Sequence, residues 1–196
     1  MRKRQITDEA FKLFAKQGYG PTTMKQIGQA VGLDKSSLYV HFKSKKDIFS
    51  VILAAELQSY TQNVLNEVVM GKTYKEVSHS FINNTLGYFS DHDKLLFWKH
   101  LMLMPYSEAY SEISEQVSEV LCQLNVVFTK QLQSKIEDAR DPLDKRKKTM
   151  SLFILSHGLM DWLVVQKDAN NQDKIIAMEV CNTILDAYSH FNYKKR

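Results

Sequence analysis

The sequence predicts an all-α fold, with a three-helix amino-terminal domain joined by a long shared helix to a larger helical domain. Two observations carry this prediction. The 196 residues include only three prolines and seven glycines, so few positions force a break. Long stretches place apolar residues at three-and-four spacing, and runs of alternating polarity are few. The length suits one small and one larger core, and the predicted boundary divides residues 1–47 from 48–196.

Ile6, Ala10, Phe11, Leu13 and Phe14 make an apolar stripe on a first helix that ends at Gly18. Tyr19 can fold back on Phe14 in a glycine-type cap. Ahead of the stripe, Arg2, Lys3 and Arg4 form a basic arm, read either as a free tail or as a phosphate or minor-groove contact. Thr23 with Gln26 fits the reciprocal capping box and opens a second helix, Met24 to about Val31, which Gly32 ends by turning left-handed. Asp34 caps a third helix from about Lys35 to Lys43, with Leu38 and Phe42 one turn apart on its buried side. Ser44 and Asp47, a looser capping pair, start a fourth helix that carries Ile48, Phe49, Ile52 and Leu53 and runs to about Val69. Breaks at 71–73, 90–93, 105–107, 139–144 and 168–171 divide the remainder into about five further helices, the last two near 142–167 and 172–193.

The third helix carries the chemistry. At about 100° per residue, the direction opposite Leu38 and Phe42 is held by Ser36 and Val40 and, less centrally, by Ser37 and Lys43. Two hydroxyls can bond several base edges, and valine methyls can pack on a thymine methyl, so this face suits the floor of a major groove. Lys35, Tyr39 and His41 flank it, where cationic and hydroxyl groups can reach phosphates; Thr23, Lys45 and Lys46 complete the phosphate set. Charge follows the same division. Residues 1–50 hold ten Lys or Arg against four Asp or Glu, a net of +6, while the other 146 residues carry about −2. Counterion release rewards that concentration of positive charge on a double-stranded DNA partner.

Small polar residues also decorate ordinary solvated helices; the caps, the glycine and the order of residues set this segment apart. Gly18-Tyr19, Thr22-Thr23, Ile27, Gly32-Leu33, the run Leu38-Tyr39-Val40-His41-Phe42, and Ser44-Lys45 with Ile48 resemble the DNA-binding domain of the TetR family of bacterial one-component regulators. Four positions depart from that pattern, one being Asp34, where serine or threonine is commoner. Gly28 stands where alanine is usual, either weakening the helix or admitting a close neighbour; Ser36 replaces a common glycine, and Lys46 a usual acid. The resemblance implies a helix-turn-helix repressor that acts as a homodimer and leaves a palindromic operator when a small lipophilic or cationic effector binds. It implies a four-helix dimer interface from the last two helices, carried here by Leu152, Leu155, Gly158, Leu159, Trp162, Ile176, Val180, Ile184 and Tyr188. It also implies an effector pocket among the middle helices. Tyr60, Phe81, Phe89, Trp98, Met102, Phe128, Phe153 and His157 are the candidate lining, and Pro105 breaks the sixth helix near where relatives couple pocket to head.

The competing readings are a helical partner-binding protein and a histidine-dependent enzyme without operator function. The six histidines fall in no HExxH pattern, paired cysteines and a nucleophile elbow are missing, and His157 with Asp161 would supply only two metal ligands. No catalytic residue, cofactor or metal is therefore expected. Cys122 and Cys181 suggest no disulfide framework, and the longest apolar run is interrupted by His157 and Asp161, so a cytoplasmic protein without a membrane span is expected.

Overall fold

The computed structural model describes residues 2–66, 68, 73–103, 111–166 and 170–190, with side chains to 187 in the last stretch. Among them the chain forms nine α-helices: α1 Arg2–Gln17, α2 Met24–Ala30, α3 Lys35–His41, α4 Lys45–Tyr60, α5 Tyr74–Tyr88, α6 His92–Leu103, α7 Ser111–Lys135, α8 Pro142–Val165 and α9 Asn171–His190. The described residues contain no strand. The expected break at Pro105 lies outside the described residues.

Two compact units result, the first comprising Met1–Ser59 with Asp91–Leu124 and the second Tyr60–Ser90 with Asn125–Arg196. In the first unit α1 buries Ile6, Ala10, Phe14 and Ala15, and helices α2 to α4 add Ile27, Leu38, Ile48 and Phe49. A domain of about 50 residues is marginal alone, and here α6 completes the core. Phe97 packs its ring 5.2 Å from Phe11 and 6.0 Å from Phe49, while the Trp98 indole N–H donates to Glu56 at 3.3 Å. Tyr19 stacks on Phe14 at 5.7 Å, as the glycine-type cap predicts, with Gly18 at φ 81°. The basic arm is not a free tail: Arg2, Lys3 and Arg4 lie within the first turn of α1, where the Arg2 guanidinium bonds Gln5.

The fourth helix also differs from the single rod expected. Its α-helical part ends at Tyr60 and continues as a π-helical stretch, Thr61–Asn66. The wider turn lets the consecutive residues Val64 and Leu65 both face inward, and the Asn84 carboxamide donates to the Val64 carbonyl at 3.3 Å. The second unit is otherwise built by α5 against α8 and α9. A second capping box, Thr73 with Glu76, starts α5; Asp141 caps α8, with Pro142 at the first helical position. No helix among the described residues is long and apolar enough to cross a membrane.

Candidate nucleic-acid interface

Three local caps build the segment from α2 to α4. The Thr23 hydroxyl accepts the Gln26 backbone N–H at 3.2 Å, and Gln26 Oε1 accepts the Thr23 N–H at 2.8 Å. Asp34 Oδ1 accepts the Ser37 N–H at 2.7 Å and the Ser36 hydroxyl at 2.8 Å, contacts that hold its carboxyl below the usual range. At Ser44 the pair is reciprocal but offset: Ser44 Oγ accepts the Asp47 N–H at 3.0 Å, while Asp47 reaches back to the Lys43 N–H. Between α2 and α3, Gly32 turns at φ 65°. Gly28 resolves as the close approach. A Cβ there would stand 2.9 Å from the Leu33 carbonyl oxygen, so the absent side chain lets the turn fold tightly against α2.

The capped α3 buries Leu38 and, at its C-cap, Phe42, and turns the opposite face to solvent. Val40 is 80% exposed and Tyr39 42% exposed. Ser36 is exposed and Ser37 half-buried beside them. Ser36 already donates its proton to Asp34, which leaves its oxygen as an acceptor until that bond exchanges. The Lys35 ammonium stands 5.9 Å from the Tyr39 ring centroid, which places the two together on one flank. His41, half-buried, ends the helix, and Thr23 is exposed at the start of α2.

Lys45 is the correction. Its ammonium donates to the carbonyls of Tyr19 at 2.8 Å, Gly20 at 3.2 Å and Thr22 at 2.8 Å, and lies 4.0 Å from the Tyr19 ring centroid. All three N–H donors are taken, so this lysine locks the α1–α2 turn instead of reaching a phosphate. Burial pulls its pKa down, and the Glu112 carboxylate opposes that pull. Lys46 gives one donor to the Glu112 carbonyl at 3.1 Å and keeps two.

Those contacts expose residues that sequence reasoning missed. The Tyr19 hydroxyl donates to Glu112 Oε2 at 3.0 Å, and Ser50 bonds Gln116, so the first turns of α7 grip the head at three points. Burial, then Glu112, raises the Tyr19 pKa and keeps the phenol protonated. No short-range pattern marks Glu112, which lies 93 positions beyond Tyr19.

The expected pocket residues divide between the units. Trp98 and Met102 belong to the first, and Trp98 is buried with its N–H on Glu56. The second unit brings Phe81, Phe128, Phe153 and His157 into one row, with successive ring centroids 5.4, 5.6 and 4.2 Å apart. It gathers Tyr60 and Phe89 around Tyr88 in another cluster. One nitrogen of His157 bonds the Phe153 carbonyl at 2.8 Å within its own helix. Among the described residues no group of three ligating side chains could hold a metal.

Of the expected dimer face, Ile176, Val180 and Ile184 form an exposed row on α9, and Gly158 is exposed on α8. Leu155 and Trp162 are half-buried, whereas Leu152 and Leu159 are buried within their own unit. The side chain of Tyr188 lies outside the described residues. Exposed apolar residues on α8 that the sequence reading left out are Leu143, Met150, Ile154 and Val165.

Comparison with known proteins agrees with this geometry. The family model described as bacterial regulatory proteins, tetR family, matches residues 6–52. An uncharacterized HTH-type transcriptional regulator of Bacillus subtilis, YerO, is 31% identical over 97 residues, covering 46% of this chain and 32% of that protein. The negative transcriptional regulator IcaR of the Staphylococcus aureus biofilm operon icaADBC is 47% identical over 47 residues, covering 24% of this chain and 25% of its own length. The chain therefore matches less than a third of one of these relatives at 32% and a quarter of the other, and the likeness concentrates in the head. A solved transcriptional regulator from Rhodococcus aligns over 98% of this chain and 100% of its own with a TM-score of 0.74 and 11% identity. The ketosteroid transcriptional regulator KstR2 of Mycobacterium tuberculosis covers 95% of this chain and 94% of its own, at a TM-score of 0.68 and 16% identity. At such identities the likeness is one of fold.

Proposed function

We propose that this chain, whose residues 6–52 match the tetR family model and whose fold is that of a solved transcriptional regulator, is a dimeric, ligand-responsive DNA-binding repressor acting in the cytoplasm. The observation that carries the reading is the face of α3. A valine four-fifths exposed beside a half-exposed tyrosine, on a short capped helix within a basic segment, leaves apolar and hydroxyl groups where a base edge would meet them. Ser36, Ser37 and Val40 read bases; Thr23, Lys35, Tyr39, His41 and Lys46 hold phosphates. Residues 1–47 are the reading domain by function, and 48–196 the effector-binding and dimerisation domain.

A second copy is part of the mechanism, since two recognition helices must meet grooves about 34–36 Å apart on a near-palindrome. The exposed row Ile176, Val180 and Ile184, with Gly158, Ile154 and Val165 on α8, supplies the apolar surface for it. A lipophilic effector would enter the second unit among Tyr60, Phe81, Phe89, Phe128, Phe153 and His157. It weakens operator binding only by its difference in affinity between the two states of the heads.

The test is a gel shift on the DNA upstream of the chain's own gene at fixed salt. Tyr39→Ala should weaken all duplexes alike, whereas Ser37→Ala should change preference among them. Wild-type binding by both variants would refute these roles. Failure of the wild-type protein to bind any palindromic duplex in a salt-dependent way would refute the regulator reading itself.

A further inference from the structure

The second unit carries an open cleft of about 320 Å³ between α7 and α8, at the small end of ligand sites. Its polar wall carries one cation, Arg146, among neutral amides and hydroxyls. Arg146 makes no ion pair or hydrogen bond with the described residues, and it lies between Lys145 and Lys147 in the sequence. Gln133 on α7 faces the same space with its carboxamide free of hydrogen bonds to the described residues. Asn125 accepts the Thr129 hydroxyl through Oδ1 at 3.3 Å, which leaves its NH₂ group as a donor. No carboxylate lines the cleft, so a cation finds no countercharge there and is repelled by Arg146, whereas an anion meets a guanidinium and two amides.

The other wall is apolar. Met150 is half-exposed, and Phe153 closes the cleft with its ring on the Phe128 and His157 side of the aromatic row. Charge and shape together set the ligand class. One guanidinium with neutral amides balances a single negative charge, and its planar fork matches a carboxylate through two parallel N–H bonds. A phosphate dianion would call for further cations, which the lining does not supply.

We propose that the α7–α8 cleft binds an organic monocarboxylate with an apolar tail, the carboxylate on Arg146 and the tail against Met150 and Phe153. The proposal deepens the effector reading and rests on it for any consequence at DNA, whereas binding itself stands apart.

Calorimetry on the full chain with octanoate and phenylacetate as probes, and octylamine as the matched cation, tests it. Both carboxylates should bind and octylamine should not. Arg146→Gln, at an exposed position, should keep the thermal midpoint and raise the carboxylate Kd about ten- to hundred-fold, the range of one charge-assisted contact. Arg146→Lys should recover part of that loss by keeping the charge without the fork. No carboxylate binding, equal binding by Arg146→Gln, or equal binding of octylamine would overturn the proposal. So would a change in self-association by Arg146→Gln with carboxylate binding unaltered, which would make the cleft a contact between copies. If octanoate binds through Arg146 and operator binding is unchanged at saturation, the site stands and the effector role of this unit fails. Release of DNA by a different compound, with no carboxylate binding, leaves the effector reading standing and removes this site.

Discussion

Replacing Lys45 by methionine separates two roles for one side chain. The variant keeps the length and apolar stem and deletes the charge, so it removes three bonds to the carbonyls of Tyr19, Gly20 and Thr22 and the contact with the Tyr19 ring. A hydrogen bond to a charged group contributes about 1.5–3 kcal/mol, and a ring–ammonium contact about 0.5–2 kcal/mol. The three bonds share one ammonium and do not add. Water can replace part of the loss at half-buried Gly20 but less at buried Tyr19 and Thr22. The net cost should be about 2–4 kcal/mol, a large fraction of the roughly 5–15 kcal/mol that stabilises a domain. Thermal unfolding followed by circular dichroism should show the first unit melting roughly 10 °C or more below wild type. The second readout is the salt dependence of DNA binding, measured well below that transition. A lysine committed to the turn leaves the slope of log K against log salt unchanged, whereas loss of one phosphate contact lowers it by about 0.9. Unchanged stability with a reduced slope would refute the assignment and restore Lys45 to the phosphate set.

Val180→Asp places a charge in the middle of the exposed α9 row, where Val180 is 52% exposed and so should be tolerated by the isolated fold. Sedimentation should then report monomer at concentrations where wild type is dimeric; an unchanged dimer would move the interface elsewhere. Asp144 titrates in a defined window. The Arg140 side chain, then its backbone N–H and the charges of Lys148 and Arg140, hold its carboxyl below the ordinary value against the opposing effect of burial. With a depressed folded pKa, its contribution is full above the unfolded value of about 3.9 and is lost as pH falls through the folded one. Asp144→Asn should cost about 1–3 kcal/mol at neutral pH, and its urea midpoint should begin to approach that of wild type as pH falls below about 4, meeting it below the depressed folded pKa. A gap that persists in acid would show that the carboxylate charge is not what stabilises this corner.

The first unit shows why some of its features were legible in sequence and others were not. Caps are short-range: Thr23 with Gln26, Asp34 with Ser37 and Ser44 with Asp47 each close within three residues, so spacing alone locates the starts of α2, α3 and α4. The direction of the α3 face follows from the same local geometry, because two buried apolar residues one turn apart fix where the rest must point. Lys45 looked like a phosphate ligand because its acceptors are backbone carbonyls 23 to 26 positions away, and a carbonyl leaves no mark on residue type. Sequence distance alone hid the side-chain pairings of Tyr19 with Glu112 and of Trp98 with Glu56, whose partners lie 93 and 42 positions apart.

Apolar periodicity has the matching weakness on the last two helices. It finds that α8 and α9 have more apolar surface than one stripe needs, but it cannot say which stripe faces the chain's own core. The structure sends Leu152 and Leu159 inward and leaves Ile154, Val165, Ile176, Val180 and Ile184 outside. Exposed β-branched residues at i, i+4 and i+8 on α9 lose apolar burial that a partner surface would restore at about 25 cal/mol per Å². On the proposed reading, that surplus and the need for two recognition helices on one duplex would tie dimerisation to DNA binding. A variant that breaks the α9 row should therefore lose specific DNA affinity while its α3 face is intact.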